Sequence, residues 1–151
     1  MVSVSSYNND VWGVNKYNQI YHWTGSRWQN IPGTLKYVSV GKSGVWGVNP
    51  SNQIYYRASA DSPRWQHVPG SLVQLSVGSG VVWGVNSNDQ IYMRKGISSD
   101  NPVGLGWMNI EGSLKEVHVS SSWNIVWGVN KYKNVYRRDG LGKTYKWMAG
   151  Y

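Results

Sequence analysis

Apolar residues occur along this chain in short bursts, separated by polar stretches rich in Gly, Asn, Ser and Pro. No segment sustains an apolar period of 3.6 residues, so almost no helix is expected. One burst, Val-Trp-Gly-Val-Asn, recurs unchanged at positions 11–15, 45–49, 82–86 and 126–130. After a four-residue polar gap each copy is followed by Ile-Tyr or Val-Tyr (positions 20–21, 54–55, 91–92 and 135–136). That arrangement reads as two strands joined by a tight turn. A loop of variable length then leads to a second recurring indole, at Trp28, Trp65, Trp107 and Trp147. Ile-Pro-Gly-Thr-Leu, Val-Pro-Gly-Ser-Leu and Ile-Glu-Gly-Ser-Leu follow at 31–35, 68–72 and 110–114, and the fourth copy reads Met-Ala-Gly-Tyr at 148–151. A short alternating run, such as Val38-Ser39-Val40, opens each unit, and the first is Val2-Ser3-Val4.

Each unit therefore contains four short strands bounded by turn residues. The indoles of the pentapeptide, Trp12, Trp46, Trp83 and Trp127, lie 34, 37 and 44 positions apart. Four strands per repeat of that length predict an all-β propeller whose four blades are each a four-stranded antiparallel sheet. An ordinary β-sandwich is the weaker alternative, since it has no reason to reuse one pentapeptide four times. The repeats are expected at about 2–37, 38–74, 75–116 and 117–151, in one domain over 1–151. A ring closed by four blades is the first expectation, and association of chains into a larger ring is the second. A strand packed on both faces should be apolar on both, as Val-Trp-Gly-Val is, and its Gly leaves room for close approach. The Pro-Gly and Glu-Gly pairs supply the turn into the next blade.

Composition narrows the picture. There is no Cys among 151 residues, so packing rather than disulfides or thiolate metal sites must provide stability. No stretch approaches the roughly 20 apolar residues of a membrane span, and Met-Val-Ser-Val-Ser-Ser lacks signal-peptide character. A soluble chain is expected, placed outside the cell rather than in the cytoplasm, with a leader absent or removed. The net charge of +8 is scattered singly rather than gathered in a basic arm, so nucleic acid is not an expected partner. Ten Trp and eleven Tyr with no Phe give every aromatic a polar edge, suited to half-exposed positions.

The repeats Val-Trp-Gly-Val-Asn-x4-Ile-Tyr-x-Arg and Trp-x2-Val-Pro-Gly-Ser-Leu-x2-Leu-Ser-Val-Gly resemble the tectonin repeat, over residues 2–151. The chain departs from that family in having fewer repeats than usual and none of the cysteines of its secreted animal members. The resemblance implies a β-propeller similar to fish egg lectins, horseshoe crab tachylectin-1 and fungal or slime mould tectonins. It also implies recognition of N-acetylglucosamine-type sugars, methylated glycans or bacterial lipopolysaccharide, in innate defence.

Sugar binding needs an aromatic face for the C–H side of a pyranose and directional donors and acceptors for its hydroxyls. Four recurring sets are candidates. Asn15, Asn49, Asn86 and Asn130 end a strand, where an amide can reach a sugar or form its own turn. Tyr21, Tyr55, Tyr92 and Tyr136 share a strand face with Trp23, Arg57, Arg94 and Arg138 two residues on. Each Arg is expected to stack on that Tyr with its fork free for an anion or hydroxyl, or else to pack between blades. Trp28, Trp65, Trp107 and Trp147 are nearer the outer edge and are stronger ligand candidates than the pentapeptide Trp set, which is expected in the core.

Catalysis is not expected. The seven carboxylates and His22, His67 and His118 fall at non-equivalent repeat positions, so no acid pair, nucleophile-base pair or metal cluster recurs. No cofactor is implied. The sequence thus points to a lectin binding glycans at several equivalent sites, with a homo-oligomer allowed. A scaffold binding protein or an anionic lipid surface is the alternative.

Overall fold

The computed structural model describes residues 1–120, 125–140 and 146–150. Tyr151, the last residue of the fourth repeat, lies outside the described residues. The described chain is all-β, with sixteen strands in four sheets and no helix. Blade one holds β1 (Val2–Val4), β2 (Val11–Val14), β3 (Ile20–Trp23) and β4 (Trp28–Ile31). Blade two holds β5 (Tyr37–Gly41), β6 (Gly44–Val48), β7 (Gln53–Arg57) and β8 (Gln66–Ser71). Blade three holds β9 (Gln74–Val77), β10 (Val82–Val85), β11 (Ile91–Lys95) and β12 (Gly106–Ile110). Blade four holds β13 (Glu116–Val119), β14 (Val126–Val129), β15 (Val135–Arg138) and β16 (Met148–Gly150). Within each sheet the strands run antiparallel in chain order, the propeller-blade meander. The sandwich alternative is excluded.

The polar gap of the repeat is a turn with defined chemistry. Asn15 Oδ1 accepts the backbone N–H groups of Tyr17 and Gln19, while its Nδ2 donates to Gln19 Oε1. Asn49 and Asn86 repeat all three bonds, and Asn130 repeats the two to the backbone. The third residue after each Asn, namely Asn18, Asn52, Asp89 or Lys133, has φ between 63° and 70°. Asn and Asp tolerate that left-handed conformation better than other non-glycine residues, and a type I turn closed this way matches the twist of a hairpin.

Each blade has a leading face toward the blade before it and a trailing face toward the blade after it, and three hydrophobic cores fill the seams between neighbours. The first combines Trp12, Val14, Ile20 and Ile31 of blade one with Val38, Val40 and Val45 of blade two, and Leu35 of the connection lies between them. The other two repeat it around Trp46 and Trp83. The connecting turn acts as a latch. Leu35, Leu72 and Leu114 donate their backbone N–H to the left-handed residues Asn18, Asn52 and Asp89 of their own blade. Their side chains sit against Gly47, Gly84 and Gly128 of the next blade, where an added Cβ would stand 2.3–2.5 Å from a leucine methyl. That contact explains the invariant Gly. The inner strands are tied as well: Ser3, Ser39 and Ser76 hydroxyl oxygens accept the N–H of Val40, Val77 and Val119 in the following blade. Buried Gln74 bridges β9 to β13 by pairing with both the N–H and the C=O of Val117.

Among the described residues the four blades do not close a ring. Among the described residues, strand packing joins blade one to two, two to three and three to four, with no comparable contact from four back to one. Trp12, Trp46 and Trp83 are fully buried, whereas Trp127 is 41% exposed. Among the described residues the first and last blades share no filled seam, and the four blades form an open arc.

Candidate functional site

Grooves open along the seams on the side of the molecule that carries the β2–β3 type hairpin turns. Between blades one and two, Asn49, Tyr55 and Trp65 face Gly33, Thr34 and Leu35 of the connecting turn across a cavity of about 270 Å³. On the leading face of blade one the equivalent trio, Asn15, Tyr21 and Trp28, lines a cavity of about 290 Å³ with Met1, Val2, Gly13 and Val14. Between blades three and four a larger cavity, about 480 Å³, is lined by Trp147, Arg138, Lys146, Asn109, Glu111 and their neighbours. In blade three the counterparts Tyr92 and Trp107 pack against the core of the second seam. Three of the four recurring sets therefore meet in blades one and two. The opposite wall, the Pro-Gly-Thr-Leu turn, reads in the sequence as a connector only; its recurrence beside the outer Trp is the signal that marks it.

Three of the four outer indoles, Trp65, Trp107 and Trp147, are held rigidly. Trp65 stacks edge-on against Trp12 with ring centroids 5.9 Å apart, and Trp107 and Trp147 do the same on Trp46 and Trp83 at 6.2 Å. Each donates its Nε1–H to a carbonyl of the preceding turn, at Pro32, Pro69 and Glu111. Gly33, Gly70 and Gly112, at φ 125–130°, keep the backbone clear of those rings. An aromatic wall fixed in this way presents its remaining surface with little entropy left to lose on binding.

Of the two expectations for the Arg residues, stacking on the Tyr does not hold, and packing into the blade seams describes them better. Arg57, Arg94 and Arg138 are buried, and their guanidinium groups stack on Trp65, Trp107 and Trp147, at 5.1–5.6 Å, rather than on the Tyr two residues earlier. Each also donates to backbone carbonyls of the segment that follows. Arg57 donates to the carbonyls of Ser59, Ala60 and Ser62, Arg94 to Val103, and Arg138 to Gly140. In blades two and three the variable loop folds back so that its carbonyls satisfy the buried cation. Burial pulls all three below the ordinary arginine pKa. These residues brace the outer Trp and its loop. Asn15 and Asn49 are likewise committed to their turns, so in the first two grooves they supply a polar rim rather than an unoccupied ligand.

A tectonin domain model matches residues 1–150. The chain belongs to the tectonin family. Tectonin-2 of Physarum polycephalum is 42% identical over 57 residues, which is 38% of this chain and 16% of that protein. Tectonin-1 of the same organism is 44% identical over 57 residues, again 38% of this chain and 26% of the relative. The matches thus span a quarter or less, or close to it, of those curated tectonins. Among solved structures, U3-55K superposes with a TM-score of 0.72 at 10% identity, over 99% of this tectonin and 51% of that chain. Yeast RCC1 (Prp20) bound to Kap60 gives 0.67 at 10%, over 94% and 47%. YCF48 from Cyanidioschyzon merolae gives 0.63 at 12%, over 99% and 55%. These likenesses establish the propeller fold.

Proposed function

We propose that this tectonin is a multivalent, non-catalytic lectin that takes sugar units in its seam grooves. The observation carrying the reading is the recurrence, at two blade edges, of a cavity built from the same Asn, Tyr and Trp. At about 270 and 290 Å³ these cavities lie just below the usual range for drug-sized ligands, roughly 300–1,000 Å³, which suits a single sugar unit. A rigid indole supplies a surface for the C–H face of a pyranose, and the tyrosine hydroxyl and turn amides rim it with hydrogen-bonding groups. The charged rim of the third groove, Lys146 with Glu111, gives that site a different preference. Membership of the tectonin family supports N-acetylglucosamine-type, methylated or lipopolysaccharide glycans as ligands, in a role in innate defence outside the cell.

The test is a glycan array bearing N-acetylglucosamine-terminated, O-methylated and lipopolysaccharide glycans. Retention on one of these classes, released by the corresponding free sugar, is the expected result. No retention on any glycan, together with binding to phosphatidylserine vesicles, would replace the lectin with an anionic-surface scaffold, for which the charge of +8 is the argument.

A further inference from the structure

The two ends of the arc are the two halves of a seam. In the three filled seams, the trailing face offers a pentapeptide Trp and a β3-type Ile, all fully buried at Trp12, Trp46, Trp83, Ile20, Ile54 and Ile91. Blade four presents the same face to solvent, with Trp127, Val135 and Met148 each about two-fifths exposed. In the filled seams the leading face offers an outer Trp and an inner-strand apolar pair, as Val38 and Val40 do in blade two. Blade one presents those groups to solvent too: Trp28 is 45% exposed, and Val2 and Val4 are 58% and 60% exposed. Each end is therefore a large apolar sheet face whose complement, shown three times within the molecule, is the other end.

We infer that a second copy of this chain covers both ends, its blade one on blade four of the first and its blade four on blade one, joining two arcs head to tail into one ring of eight blades. Trp28 of one copy then stacks on Trp127 of the other, as Trp65 stacks on Trp12. Val4 lies beside Ser120, in the place where Val77 contacts Gly41 and Val119 contacts Gly78. Two is the smallest number of copies that leaves neither end bare, and the arc superposes on part of the longer propeller chains RCC1, U3-55K and YCF48, as a segment of a larger ring does. A head-to-tail contact closes when its rotations complete a circle and otherwise grows into a fibre.

Light scattering on the 151-residue chain at micromolar concentration tests this. The expected mass is twice the 17.0 kDa of one chain, returning to 17.0 kDa in Trp127→Glu with an unchanged circular dichroism spectrum. Because the chain has no Cys, a second measurement stands apart from that variant. A Ser120→Cys chain mixed with a Val4→Cys chain should form a disulfide-linked pair on oxidation, while neither variant alone does. A mass of 17.0 kDa for the unaltered chain, an open polymer, or crosslinking of Val4→Cys to itself would overturn the proposal.

Discussion

Trp46 and Trp83 occupy equivalent, fully buried places, yet their indole N–H groups fare differently. Trp46 donates to the carbonyl of Ser43 at 3.0 Å, whereas Trp83 Nε1 has no partner among the described residues. Replacing either by Phe removes similar volume, but only Trp46→Phe gives up a hydrogen bond. Trp46→Phe is expected to cost more stability than Trp83→Phe by about 1 kcal/mol, the usual net worth of one such bond, as read by chemical denaturation. Equal losses would mean that the bond contributes nothing. At this level the sequence is only partly legible. The recurrence of Asn15, Asn49, Asn86 and Asn130 marks them as important, and their turn-forming role is one of the two readings it allows. The stacking of Arg57 on Trp65 is hidden, because it depends on the loop 58–64, which has no counterpart of equal length in the other repeats.

The strands and hairpins were readable throughout, since four copies of one pentapeptide and four polar gaps of equal length leave little freedom in register. What the pattern does not show is which side of each Gly receives its neighbour. The glycine of β6 is the seat of the latch: an added Cβ at Gly47 would meet the Leu35 methyl at 2.4 Å and the Tyr37 carbonyl oxygen at 3.0 Å. At the same register in β2, a Cβ on Gly13 meets nothing closer than 3.2 Å. Gly47→Ala should therefore cost about 1–3 kcal/mol, the range for overpacking a filled core. For a domain of this size that is a fall of about 2–4 °C in Tm per kcal/mol. Gly13→Ala should shift Tm much less. Equal shifts in a thermal melt would show that the leucine contact does not decide the choice of Gly. The comparison isolates the latch, because the two strands share the sequence Val-Trp-Gly-Val.

In the molecule as a whole, the repeat count was legible and closure was not. A sequence pattern fixes which faces are apolar but carries no angle between successive sheets, and that angle makes this tectonin an arc rather than a ring. The proposed lectin function rests on the same repetition. Small, half-open grooves would hold a single sugar weakly, because few atoms are buried, and several grooves on one rigid body would gain through effective concentration on a surface dense with glycans. Arg57 enters this only indirectly, by holding Trp65 at the groove edge. The stoichiometry is thus the quantity that separates a repeated lectin site from a single composite surface. Titration calorimetry with monovalent N-acetylglucosamine should give more than one site per chain, with one site fewer in a folded Trp65→Ala variant; a single site per chain, or a count unchanged by Trp65→Ala, would contradict it.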